Sequence, residues 1–267
     1  MELIDTHCHL DLSVFSKRYK DLLDRARAAG VVQMILPGVI QTGWSRLLQI
    51  CSEETDLFAA PGLHPMYLSH HAPEHLEELT TVVQSNKVVA LGEIGLDYYL
   101  KPIDKDAQQL LFEQQLRIAE KEHLPILLHV RKAHDQVLAT LRRLRFPHGG
   151  IVHAFNGSFQ QAMRYIDFGF GIAVGGTITY SRAKRIRKVA ADLPLESLVL
   201  ETDAPDIPPA AHHGEVNLPE YLPDILAGLT SVRRETIEQI AHCTSRNTRR
   251  ILGLPGGYKY PEDHVNS

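Results

Sequence analysis

The chain has 267 residues, 44% of them hydrophobic and 22% charged, a composition that can bury a sizeable core and excludes a disordered or fibrous protein. No apolar run approaches the roughly 18 residues that span a bilayer. The formal net charge of −4 excludes a protein held on nucleic acid by a general basic excess. A phosphate substrate therefore needs local positive charge, from bound metal or a confined basic patch.

The opening Met1-Glu2-Leu3-Ile4-Asp5 lacks a basic region and a long apolar run, and reads as a strand rather than a signal peptide. In chain order the apolar runs are Leu3–His7, Val31–Leu36, Leu57–Gly62, Val88–Glu93, Pro125–His129, Gly150–His153, Gly169–Val174 and Ser197–Glu201. Their near-continuous apolar character is that of parallel strands buried on both faces. Between them lie amphipathic stretches such as Ala107–Lys121 and Asp135–Arg145, with apolar residues at helical spacing. Pro223–Leu229 and Glu235–Leu252 read as terminal helices covering the last strand. Residues 256–267 read as a tail whose end, Val265-Asn266-Ser267, is frayed. Eight strands alternating with helices, without a dividing linker, predict an α/β fold. The expected architecture is a single (β/α)8 TIM barrel over residues 1–255 with C-terminal covering helices, favoured over a doubly wound open sheet. Cys8, Cys51 and Cys243 have neither zinc-ribbon nor redox spacing and suit a reducing, cytoplasmic location.

The first strand ends in Asp5-Thr6-His7-Cys8-His9. Alternation points His7 and His9 the same way, so they can share one ion, while Cys8 turns towards the helix layer as a buried small residue. With 15 His in the chain, one His-x-His pair on the order of chance is expected, and the motif is weak alone. The other strand ends strengthen it. Val88-Val89-Ala90-Leu91-Gly92 runs into Glu93, Ile126-Leu127-Leu128 into His129, Ile151-Val152 into His153, and Leu198-Val199-Leu200-Glu201-Thr202 into Asp203. In a barrel all parallel strands end on one face, where barrel active sites lie. Bringing four histidines and two carboxylates together without a cation would cost several kcal/mol each in desolvation.

This ligand set predicts two divalent ions. His7 and His9 serve the first and His129 and His153 the second, Glu93 bridges them, and Asp203 binds the first ion and accepts a proton from water between the two. Paired ions about 3.5–4 Å apart acidify water and stabilise a phosphoryl oxygen that gains charge. Zinc, manganese or magnesium are the candidate ions. His64, after the third strand, is a candidate phosphate contact or a helix-starting residue. Arg131, two residues past His129, is a second candidate phosphate contact. Glu201 is read as support for a ligating histidine. Arg182-Ala183-Lys184-Arg185-Ile186-Arg187-Lys188 is either a solvated face or a rim that guides a nucleic-acid backbone. Tyr98, Tyr99 and Tyr180 are candidates for base stacking or loop packing, and Asn217 for fixing a loop.

As a set these residues resemble the TatD-like deoxyribonuclease family, within the amidohydrolase-type barrels. The likeness runs from Asp5-Thr6-His7-Cys8-His9 through Gly62-Leu63-His64-Pro65, Gly92-Glu93-Ile94-Gly95-Leu96-Asp97-Tyr98-Tyr99, His129-Val130-Arg131-Lys132-Ala133 and Glu201-Thr202-Asp203-Ala204-Pro205 to Ser245-Arg246-Asn247-Thr248-Arg249-Arg250. The resemblance implies that His7, His9, Glu93, His129, His153 and Asp203 are metal ligands and that a phosphodiester, DNA first, is the substrate. The late loop departs from the pattern: His213 and Val216 stand where the family usually carries a basic residue and a basic or polar one. The competing reading is a metal-dependent hydrolase of a small amide, lactone or amidine on the same scaffold. Glu93, where related barrels bridge their metals with a modified lysine, argues against it. No surface stripe reads as a membrane or subunit interface.

Overall fold

The computed structural model describes residues 1–99, 101–102 and 104–256. Among these described residues eight parallel strands alternate with helices: β1 (Leu3–Asp5), α1 (Tyr19–Ala28), β2 (Val31–Pro37), α2 (Trp44–Glu53), β3 (Leu57–Ala60), α3 (Glu74–Ser85), β4 (Leu91–Asp97), α4 (Lys105–Lys121), β5 (Ile126–Arg131), α5 (His134–Leu144), β6 (Gly150–Val152), α6 (Phe159–Asp167), β7 (Phe170–Val174), α7 (Lys184–Asp192) and β8 (Leu198–Leu200), then α8 (Leu222–Thr230) and α9 (Ile237–Leu252). β1–β2–β3 form one ladder and β4 to β8 a second. Parallel bridges at Cys8–Ala204 and Ala59–Val88 join the two ladders at two seams, completing the (β/α)8 barrel that the sequence predicts.

Two cores follow from the two-residue period of the strands. Ile4, Ile35, Phe58, Ala60, Ala90, Leu127, Ile151, Ala173 and Val199 fill the barrel, and Leu252 at the end of α9 and Leu254 just past it close its lower end. The alternate set, including Leu3, Met34, Leu36, Ile126, Leu128, Ile172, Val174 and Leu198, faces the helix layer. α9 is held by a capping box, in which Thr236 Oγ1 accepts the Gln239 N–H and Gln239 returns a bond to the Thr236 N–H, and it stops at Gly253 in the left-handed region. The expected tail lies outside the described residues beyond Gly256.

Strand boundaries move where the barrel is irregular. β4 is expected over Val88–Glu93 but spans Leu91–Asp97, because its ladder with β5 begins at Leu91–Ile126. Val88 and Val89 instead belong to the seam with β3, where the Val89 N–H donates to the Ala59 carbonyl at 3.0 Å. β1 and β8 stop short of the ligand residues, which leave the regular ladder to turn inward.

Candidate metal centre

Parity in three strands aims side chains into the barrel mouth. Leu127 points inward, and so do His129 and Arg131. Ile151 leads to His153, and Val199 to Glu201 and Asp203. β1 reaches the same space beyond its last ladder residue, where the His9 N–H donates to Ala204 O at 2.9 Å and the Asp203 N–H to His7 O at 2.8 Å. Asp203 sits at φ 62°, a left-handed conformation unusual for a residue with a side chain, which turns its carboxylate towards the cluster.

The six expected ligands converge. Glu93 lies between them, with Oε2 3.1 Å from His7 Nε2 and Oε1 2.7 Å from His129 Nδ1. His7 and His9 bring their Nε2 atoms to 3.2 Å. The His153 ring stacks on His7 with centroids 3.6 Å apart, and its Nε2 lies 3.5 Å from Asp203 Oδ1 and 3.9 Å from Glu93 Oε1. His153 thus groups more closely with His7 and Asp203 than with its expected partner His129. Among the described residues, three groups have atoms close enough to share an ion: His7, His9 and Glu93; His7, His153 and Asp203; and His64, Glu93 and His129.

The chemistry of these donors fits divalent cations. Burial holds the His7 and His9 imidazoles below their usual range, which keeps their ring nitrogens free of extra protons. Burial pushes Glu93 up, but the surrounding His64, His7 and His153 outweigh it and hold the carboxyl well below its usual range. Burial pushes Asp203 up to about 8, against the pull of His153. Buried nitrogen lone pairs around a buried carboxylate are what an oxygen- and nitrogen-binding cation compensates.

Two of the candidate ligands are backed by carboxylates. Glu201 takes the His153 Nδ1 at 2.9 Å and the Ala154 N–H at 2.7 Å, which matches the support role read from its position. His129 shows its Nε2 to Asp97 Oδ2 at 2.9 Å, a partner that sequence reasoning missed. Asp97 is buried, accepts the Tyr99 N–H at 2.8 Å, and has its backbone clamped by Gln108 from α4. The available signal was a carboxylate two alternations past Glu93 on the same strand. Such partners fix the ring tautomer and raise ligand basicity. Burial lowers both rings, yet these carboxylates and Glu93 reverse the direction and raise His129 and His153.

A cavity of about 560 Å³ opens over the cluster. His9, Glu93, His129, His153 and Asp203 form its floor, and Met66, Tyr67, Arg131, Asp206 and Ile207 its rim. These contacts gather a set of donors suited to metal, and the chain's relatives are named as metal-dependent hydrolases. A family model described as TatD related DNase matches residues 4–253. The chain belongs to the TatD family. The uncharacterized metal-dependent hydrolase YjjV of Escherichia coli is 42% identical over 254 residues, covering 94% of this chain and 98% of YjjV. YabD of Bacillus subtilis, another uncharacterized metal-dependent hydrolase, is 31% identical over 253 residues, covering 94% of this chain and 99% of YabD. The crystal structure of YjjV superposes with a TM-score of 0.92 over 95% of this chain and 98% of that chain. Metal-dependent hydrolysis is accordingly the activity class of this TatD-family chain.

The surrounding residues divide into two kinds. Arg131 lines the cavity, with its guanidinium 3.6 Å from the centre of the exposed Tyr99 ring. Tyr98 is half-buried against the core, and Tyr180 donates to Pro208 O at 2.9 Å, so both pack loops. In the basic run, Arg185 and Arg187 donate to the Asn156 and Ile178 carbonyls, and Lys188 pairs with Asp192. Asn217 is fully buried and ties the late loop: its amide donates to Thr202 O and Asp206 O, both at 2.7 Å, and more weakly to Ile207 O at 3.3 Å. The two departures from the TatD pattern, His213 and Val216, are exposed and outside the cavity lining. Cys8 is fully buried, as expected for a small core residue.

Proposed function

We propose that this TatD-family hydrolase cleaves phosphodiester bonds, with DNA as substrate, using two divalent ions held by His7, His9, Glu93, His129, His153 and Asp203. The observation that carries the reading is the position of Glu93, whose two oxygens face different imidazoles at 3.1 and 2.7 Å, as a bridge between two ions requires. Zinc, manganese or magnesium at this site would supply acidified water and offset charge developing on phosphoryl oxygens. Asp203, just beyond β8, would orient a water held there and could accept its proton. Arg131 and His64 at the rim and wall supply local positive and hydrogen-bonding surface for a phosphate on a chain of net charge −4. Three free cysteines among the described residues suit a cytoplasmic setting, and no helix among those residues is long and apolar enough to cross a membrane.

The test is hydrolysis of single-stranded DNA by metal-stripped protein, with magnesium, manganese or zinc restored separately. Activity should return with metal and be lost in Asp203→Asn. Unchanged metal-dependent turnover in folded Asp203→Asn or Glu93→Gln would sink the mechanism.

One observation favours a second reading. The cavity continues beneath α7 along an apolar wall of Ile172, Val174, Ile186, Val189, Leu193 and Leu198, which suits a small apolar amide, lactone or amidine better than a polyanion. A panel of DNA, an aryl phosphodiester, lactones and amides separates the two readings.

A further inference from the structure

The tautomer of His64 is fixed by a group that cannot change sides. Its Nδ1 accepts the Met66 N–H at 3.1 Å. A backbone amide only donates, so Nδ1 carries a lone pair and the ring proton sits on Nε2. Moving that proton to Nδ1 would set two N–H groups against each other. Yet Nε2 is the atom that faces the metal cluster, 3.3 Å from Glu93 Oε1 and 3.2 Å from His129 Nδ1. Distance alone would make His64, Glu93 and His129 a metal-binding trio. Polarity argues otherwise, because a cation needs the lone pair that this Nε2 lacks. His129 and His153 are arranged the opposite way: their remote nitrogens meet the carboxylates of Asp97 and Glu201, which leaves the inward nitrogens free to coordinate.

The surroundings hold this orientation in place. Gln115, fully buried on α4, both accepts the Leu63 N–H at 2.8 Å and donates to Leu63 O at 3.0 Å. The His64 N–H donates to Val39 O at 2.9 Å, and His71 Nε2 donates to the His64 carbonyl at 2.8 Å. The clamped ring forms part of the cavity wall.

Resting on the phosphodiester reading for its substrate, we propose that His64 stands outside the metal ligand set and presents a fixed Nε2–H to a phosphoryl oxygen beside Glu93. An N–H already aimed at the place where negative charge gathers stabilises it with no reorganisation during the reaction.

The decisive experiment is long-range proton–nitrogen NMR and metal analysis on the zinc-loaded full chain. His64 should show a protonated Nε2 and a bare Nδ1, and His64→Ala should keep the ion count of the parent. A protonated Nδ1, or the loss of an ion in His64→Ala, overturns the proposal whatever the substrate proves to be. The NMR measurement on the parent chain needs no variant to fold. On bis(4-nitrophenyl) phosphate, His64→Ala should lose about 100-fold in kcat, and His64→Gln, which keeps an N–H donor, should recover part of it. Full turnover by His64→Ala overturns the substrate contact. Absence of turnover by the parent defeats the phosphodiester reading instead, while the tautomer and ion count still decide whether His64 is a ligand.

Discussion

At the β8–β1 seam the strands are clasped by a buried side chain. Asp5 accepts the Thr202 N–H at 2.9 Å, the Thr202 hydroxyl at 2.5 Å and the His7 N–H at 3.2 Å. At the β3–β4 seam side chains are missing where the backbones meet. A Cβ on Gly62 would lie 2.6 Å from the Gly92 carbonyl carbon and 2.8 Å from its oxygen. The first seam carries His7, His9 and Asp203, and the second carries His64 and Glu93. Closing a barrel by polar bonds leaves a joint whose strength can be graded, whereas closing it by backbone contact leaves one that tolerates nothing inserted.

The largest effect should come from the glycine seam. Gly62→Ala forces backbone to move and should cost about 3 kcal/mol or more, read as a fall of roughly 6–12 °C in Tm. If the variant melts with the parent, the contrast between the seams is wrong. Next comes Asp5→Ala, which leaves three donors without their acceptor and should cost about 2–3 kcal/mol in denaturant unfolding.

The clasped seam should also respond to pH. Burial pushes Asp5 from 3.8 up to about 7, with the Thr202 bonds opposing. The folded state therefore holds this proton through a window in which the unfolded chain has released it. Stability from this group is full below 3.8 and is lost as pH rises through about 7. Asp5→Asn mimics the protonated form, so the stability difference between parent and variant in metal-free protein should change across that window and be flat above it. A constant difference would remove pH sensitivity from the seam. The smallest effect tests the shells behind the ligands: Glu201→Gln and Asp97→Asn should each weaken metal binding about 10–100-fold by competition titration, with the Tm of the metal-free protein nearly unchanged.

The division between legible and illegible features follows contact range. Strand alternation is a local property, so Leu127 before His129 and Val199 before Asp203 could be read from neighbours in the chain. The α/β alternation was legible for the same reason. Asp97 behind His129 could not be read this way, because its role exists only once β4 lies beside β5. Gln115 is more remote still: it clamps Leu63 across 52 residues of sequence, and nothing in its helix distinguishes it from its glutamine neighbours. The tautomer of His64 depends on a backbone N–H two residues away whose direction is set by the turn at Pro65. The limits of β4 were misread because an apolar run continues through a seam as readily as through a ladder.

The anchoring of the late loop by Asn217 has a consequence for how this scaffold can diversify. Because one buried amide gathers carbonyls from Thr202, Asp206 and Ile207, the segment from Pro208 to Val216 hangs from a fixed peg. Its exposed positions, His213 and Val216 among them, can be rewritten without retuning the barrel mouth. The loop is in effect a replaceable surface, since neither of these two side chains lines the cavity over the candidate centre.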